Sequence, residues 1–244
     1  MLEICCGSYQ DAKNAALGGA KRIELNSALY LGGLTPSVAA LRLTKETTDL
    51  KVICMVRPRG GGFCYEQADY EQALAEAKDL LENGADGLAF GFLTADHQID
   101  VAKTKVMVDL IKSYDKEVVF HRAFDCVKDP YASIEILCDL GVDRLLTSGL
   151  QAKAVDGQAL IKDLQAKYGS QIEILAGSGI NATNAKQLMQ TTGISQVHSS
   201  CKSWQLDPTT SGAYVNYCFA SQPHENDYDL VDVALVKELV ELGI

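Results

Sequence analysis

Gly84-Ala85-Asp86-Gly87-Leu88-Ala89-Phe90 is a glycine that stops a helix, followed within three residues by a short β-rich run, and the unit recurs three more times. The other copies are Gly19-Ala20-Lys21-Arg22-Ile23-Glu24-Leu25, Gly141-Val142-Asp143-Arg144-Leu145-Leu146-Thr147 and Gly193-Ile194-Ser195-Gln196-Val197-His198. Glycine at the C′ position supplies the left-handed turn that other residues resist, so each copy reads as a helix end feeding a parallel strand. Four further strand candidates lie between them, at residues 2–6, 52–57, 118–121 and 172–176. Helical periodicity fills the intervals, clearest over residues 70–83, 101–113, 132–140, 159–168 and 183–191, with a closing helix over 231–242. Eight strand-helix alternations in 244 residues predict an α/β fold, a single (β/α)₈ TIM barrel domain over residues 1–244. An open doubly wound sheet is the alternative.

No linker or low-complexity tract divides the chain. Its one long irregular stretch, about residues 201–229 after strand eight, exceeds ordinary loop length and contains Trp204, Tyr214, Tyr217 and Phe219. A lid, a subunit contact or a partly ordered excursion would each fit it, and a packed subunit interface is the plainest reading.

Composition removes several function classes. A formal net charge of −10 and a pI near 4.9 lack the basic footprint that nucleic acid or an anionic membrane surface requires. No apolar run approaches the roughly 20 residues that cross a bilayer. The N-terminus enters an apolar stretch without a basic region or cleavage site, which predicts a cytoplasmic protein. Eight cysteines without metal-type spacing, in a chain large enough to bury its own core, predict free thiols.

In such a barrel inward side chains alternate along each strand and chemistry sits at the carboxyl ends. Glu3 and Cys5 share one face, Glu24 and Asn26 another, and strand three ends Met55-Val56-Arg57. His121, Arg122 and Asp125 follow strand five, Thr147 and Ser148 strand six, and His198 lies in strand eight. Buried carboxylates need partners, and Arg57 is the expected partner of Glu3 and Glu24. An ion network that merely plugs the barrel would use the same acids, but two histidines beside them are equipment for proton transfer near neutral pH. Candidate catalytic residues are therefore Glu3, Glu24, Arg57, His121, Arg122, Asp125 and His198.

The loop Arg57-Pro58-Arg59-Gly60-Gly61-Gly62 and the turn Gly177-Ser178-Gly179 predict an anion site on Arg57, Arg59, Gly177, Ser178 and Gly179. Solvated arginines and an ordinary βα turn are the plainer alternatives. For a metal, Cys5 is the best-placed thiol, with Asn26, Met55, His121 and His198 as neighbours of varying softness. Cys54 faces the helices, Cys126, Cys138 and Cys218 read as small buried hydrophobes, and Cys64 and Cys201 lie in rim loops.

Several strings are distinctive in this order: Ile23-Glu24-Leu25, Gly32-Gly33-Leu34-Thr35-Pro36, Met55-Val56-Arg57-Pro58-Arg59-Gly60-Gly61, Gly84-Ala85-Asp86-Gly87, Phe120-His121-Arg122-Ala123-Phe124-Asp125 and Leu146-Thr147-Ser148-Gly149. They resemble the CutC family of copper homeostasis proteins from strand one to about Ser199, and the tail after Ser200 matches poorly. The resemblance implies a cytoplasmic (β/α)₈ barrel that forms homo-oligomers, a dimer or tetramer. It also implies copper handling, with Cu(I) held by cysteines at the ends of the first two strands. The first position is Cys5; the second is Asn26, which is not a thiol. Glu3, Glu24, Arg57, His121, Arg122, Asp125 and His198 all follow the family pattern.

Two functions are thus expected: a copper homeostasis protein with Cu(I) at Cys5, or an isomerase, epimerase or lyase using acid/base chemistry on a small anionic or phosphorylated substrate. A scaffolding barrel with a purely structural polar centre is the third.

Overall fold

The computed structural model describes residues 1–244. Strands β1 (Leu2–Cys6), β2 (Arg22–Leu25), β3 (Lys51–Met55), β4 (Gly87–Phe90), β5 (Glu117–Phe120), β6 (Arg144–Thr147), β7 (Glu173–Gly177) and β8 (Gln196–Ser199) pair in sequential order. The return pairing of β8 with β1, Leu2 opposite Val197 and Glu3 opposite His198, closes the parallel barrel and rules out the open sheet. Around it run α1 (Tyr9–Leu17), α2 (Val38–Thr47), α3 (Gln67–Glu82), α4 (Val101–Ser113), α5 (Pro130–Asp139), α6 (Gln158–Tyr168), α7 (Ala185–Thr192) and α8 (Val233–Glu241). The four helix-ending glycines, Gly19, Gly84, Gly141 and Gly193, all take positive φ, between 79° and 95°. That conformation is why the units recur with glycine.

Alternation splits each strand between two environments. Ile4, Cys6, Ile23, Leu25, Cys54 and Val56 face outward into the main apolar core against the helices. The barrel axis holds only a small separate apolar cluster, Ile53, Ala89 and Val119. Charge fills its amino-terminal end. Arg144 pairs with Glu117 and reaches Glu173 at 3.1 Å, and Lys51 pairs with Glu117. Arg22 donates to Gln196 at 2.6 Å, which donates to Glu173 at 2.6 Å. A plugging ion network therefore exists, but it lies at the end opposite the strand tips.

Beyond β8 the stretch expected to be irregular contains a two-stranded antiparallel ribbon, β9 (Lys202–Leu206) with β10 (Asp227–Val231). The long connection, residues 207–226, separates the two strands too widely for a hairpin signal to show in the sequence. No helix is long and apolar enough to cross a membrane, and all eight cysteines are free.

Candidate functional site

At the carboxyl end of the barrel the inward residues of β1, β2, β3, β5 and β8 surround a cavity of about 580 Å³. Pairing register decides who meets whom. Glu3 stands opposite Arg22 on one side and His198 on the other, and Cys5 stands opposite Glu24.

Glu3 lies at the base. Its Oε1 is 2.9 Å from His198 Nδ1, and its Oε2 is 2.7 Å from Arg22 Nε and 3.5 Å from Arg144 Nη1. Burial opposes its ionisation, but the hydrogen bond from His198 and the charges of Arg22, His198 and Arg144 outweigh it and hold the carboxyl at about 2. Arg57 is thus not its partner. Arg22 and Arg144 are, because the barrel's stagger brings the first residues of β2 and β6 level with Glu3. Both arginines stand in the quoted glycine units, on the inward parity of their strands, and that parity was the available signal.

Glu24 has a different environment. Asn26 Nδ2 donates to its Oε2 at 3.0 Å, the Cys5 thiol donates to it at 3.9 Å, and His198 Nε2 stands 3.9 Å away. No arginine or lysine reaches it. Burial pushes Glu24 up, His198 pulls it back, and Glu3 adds to the rise. Burial likewise raises the half-buried Cys5 thiol, against the pull of His198. For His198 burial disfavours the cation, yet hydrogen bonds to Cys5 and Glu3 and the field of Glu24 hold it charged well above its ordinary range. The ligating atoms of Cys5, Glu24 and His198 all lie within 4.8 Å of one another. Gly177 leaves room beside Leu146 and His198, since a Cβ there would come 3.4 Å from that of His198 and 2.8 Å from Leu146 Cδ1.

Arg57 turns away from both acids. Its Nη1 donates to the carbonyls of Leu31 (2.8 Å) and Gly33 (3.0 Å), its Nη2 to that of Gly61 (2.6 Å), and the guanidinium also meets the buried Tyr65 hydroxyl. The positive φ of Gly32 and Gly33 bends the β2–α2 loop so that these carbonyls face inward. Phe63 lies between Arg57 and His121, 5.2 Å from the guanidinium carbon and 5.0 Å from the imidazole. His121 caps the short 3₁₀ turn Arg122–Cys126, its Nδ1 accepting from the Ala123 N–H at 3.1 Å. The ring proton therefore sits on Nε2, which is buried without a partner. Burial and the neighbouring Arg57 push His121 down to about 3, so it enters the site as a neutral donor rather than a proton acceptor.

Arg122 and Asp125 pair at 2.7 Å, and Asp125 also accepts from Thr147 Oγ1, Ser148 and the Leu150 N–H. That pattern makes Asp125 the anchor of the β5 and β6 loops, while Arg122 reaches the cavity wall. Arg59 is taken up by Asp69 at 2.7 Å and by the Tyr65 ring, outside the cavity. Ser178 and Gly179 line the cavity, and their N–H groups donate to no protein acceptor. Among the other thiols Cys54 and Cys201 are buried and Cys64 is exposed. Cys126, expected inside, is exposed, Cys138 is half-buried where it packs against the edge of the core, and Cys218 is half-buried in the β9–β10 connection.

The β9–β10 ribbon and its connection roof the cavity. Trp204 stacks on His224 at 4.5 Å, Lys202 lies 4.3 Å from the indole, and Phe219 meets Tyr30 of the β2–α2 loop at 5.1 Å.

A profile of the CutC family matches residues 1–203. The chain is 42% identical over 242 residues to a family protein CutC of Treponema denticola, covering 99% of this chain and 96% of that one. It is 40% identical over 203 residues to the copper homeostasis protein cutC homolog of Mus musculus, covering 83% of this chain and 74% of that one. The crystal structure of CutC from Streptococcus agalactiae superposes with a TM-score of 0.76 at 29% identity, over 82% of this chain and 98% of that one.

Proposed function

The chain belongs to the CutC family, and from that premise we propose that it is a copper homeostasis protein that takes Cu(I) as cargo at Cys5 and His198. One observation carries the reading: Cys5, Glu24 and His198 converge within 4.8 Å at the floor of the mouth. A thiolate and an imidazole suit a soft monovalent ion, and a carboxylate suits it poorly. His198 thus takes the place of the second thiol that Asn26 cannot supply. Its Nδ1, fixed on Glu3 at 2.9 Å, leaves Nε2 to face the thiol, an arrangement that orients metal-binding histidines generally, and Cu(I) entry displaces the Nε2 proton of the charged ring together with the thiol proton. Glu24 is left to accept the Asn26 Nδ2–H hydrogen bond and to take up the proton that the Cys5 thiol gives up.

Anaerobic titration with Cu(I) against a chromogenic chelator tests this. The full chain should retain about one ion per protomer, Cys5→Ser should lose it, and His198→Gln should hold it at least tenfold more weakly. Equal retention by Cys5→Ser, or none by the parent, would overturn it. The same reading has the protein working in a reducing cytoplasm, which eight free thiols suit, and as a homo-oligomer, for which the exposed Leu206, Tyr214, Val215 and Tyr217 offer apolar surface.

A second reading is favoured by Glu24 itself. It is a buried acid without a cationic side chain from Arg or Lys, facing about 580 Å³ of space, far more than a bare ion occupies. On that reading Glu24 and His198 move protons on a small anionic substrate, and Glu3 only positions His198. Screening isomerase, epimerase and lyase substrates against the parent and Glu24→Gln would support it through turnover lost in the variant, and turnover unchanged in Glu24→Gln would refute it.

A further inference from the structure

The wall opposite Cys5 holds an uncompensated positive charge. Arg57 is buried, three of its donor contacts go to neutral carbonyls, and no carboxylate lies within ion-pair reach of it. The guanidinium meets only neutral groups, those carbonyls and the buried Tyr65 hydroxyl, and the His121 Nε2 is buried without a partner. Phe63 packs against both groups, 5.2 Å from the guanidinium carbon and 5.0 Å from the imidazole. All three residues line the same cavity, with Arg122 beside them. A buried guanidinium without counter-charge is destabilising, and a buried donor left without an acceptor adds to that penalty. In a chain of net charge −10, an acid could readily have been supplied there, yet none is.

We infer that the Arg57–His121 wall binds the oxyanion group, carboxylate or phosphate, of a small organic molecule whose remainder lies over Met55 and Leu146 beneath Trp204. An oxygen accepts from His121 Nε2, within the field of the Arg57 charge. A carboxylate or phosphate oxygen both accepts from that donor and supplies the missing counter-charge, and a neutral ligand would leave the guanidinium charge uncompensated. The neutral state of His121, held by burial and by Arg57, presents a fixed N–H donor across the physiological range. Ser178 and Gly179, with free N–H groups on the β7 side of the same cavity, give a longer anion a second point of contact. Binding at this wall requires neither copper nor Cys5, so it stands apart from the copper reading; on the enzyme reading it names the substrate class.

Trp204 is the only tryptophan and lines the cavity, so its emission reports what enters. The metal-free full chain is titrated with inorganic phosphate and, separately, with citrate at constant ionic strength, with chloride as the control and calorimetry run in parallel. A saturable response to one or both is expected, with chloride inert, and the stronger of the two identifies the headgroup. Arg57→Met should abolish the response. Because that change also strips three carbonyls of their donor, His121→Asn provides the second variant. Asparagine still caps the Ala123 N–H but cannot extend a donor into the cavity, and affinity should fall at least tenfold. Cys5→Ser should bind the anion as the parent does while losing Cu(I), which separates this site from the copper site. The inference is overturned if neither probe saturates by either method, if His121→Asn binds as tightly as the parent, or if Cys5→Ser abolishes anion binding.

Discussion

Replacing Glu3 with glutamine keeps the shape of the side chain and removes its charge, and the surroundings of Glu3 make this costly. The carboxylate lies between His198 Nδ1 at 2.9 Å and Arg22 Nε at 2.7 Å, with Arg144 at 3.5 Å. An amide places an NH₂ against one of these donors whichever way it turns. It also leaves two buried guanidinium groups with less counter-charge, a change that costs about 3–5 kcal/mol when a buried pair is broken. The pH dependence gives an independent figure. A carboxyl with an ordinary value of 4.5, held in the native barrel at about 2, contributes about 3 kcal/mol at 1.36 kcal/mol per pH unit. The native value is depressed, so this stability is fully present above about 4.5 and is lost as pH falls from there toward about 2. Urea unfolding of parent and Glu3→Gln, followed by circular dichroism between pH 7 and pH 2.5, reads both quantities. The variant should be about 3 kcal/mol less stable at pH 7, and the gap should narrow to under about 1 kcal/mol at the acid end. A gap that stays constant with pH, or no gap at pH 7, would show that Glu3 is not the ionised centre of this network.

Other outcomes follow from the same geometry. Asn26 Nδ2 lies 3.7 Å from Cys5 Sγ, so Asn26→Cys places a second thiol beside the first and should tighten Cu(I) at least tenfold, about 1.4 kcal/mol, in chelator competition; unchanged affinity would place the ion elsewhere. Gly149 has φ +69° and a Cβ there would overlap the Gly157 carbonyl oxygen, so Gly149→Ala should cost about 2–4 kcal/mol in urea unfolding. Gly141→Ala, with φ +79° but open space, should cost only about 1 kcal/mol, and equal losses would mean that the backbone contact at Gly149 has no weight.

What the sequence made legible is what local chemistry dictates. Helix-ending glycines carry their own requirement for positive φ, so Gly19, Gly84, Gly141 and Gly193 marked four of the eight strands. Strand parity placed Glu3, Cys5, Glu24, Asn26, Arg57 and His198 on the inward side, where all of them lie. Partnership was not legible, because it depends on the stagger between strands. Arg22 and Arg144, not Arg57, meet Glu3, since register sets the start of β2 opposite Glu3 and tilt brings β6 across the axis. Proximity in sequence misled for Arg59, which Asp69 captures from α3, and for His121, whose tautomer is fixed by the Ala123 N–H. The ribbon of β9 and β10 escaped notice because its strands are joined by residues 207–226 instead of a short turn.

Whether Cys5 and His198 together hold Cu(I) is tested most directly by copper K-edge absorption on the anaerobically loaded full chain. One sulfur and at least one nitrogen in the first coordination shell, with the nitrogen contribution lost in His198→Gln, is the predicted result. A shell of sulfur alone, or one that His198→Gln leaves unchanged, would contradict it.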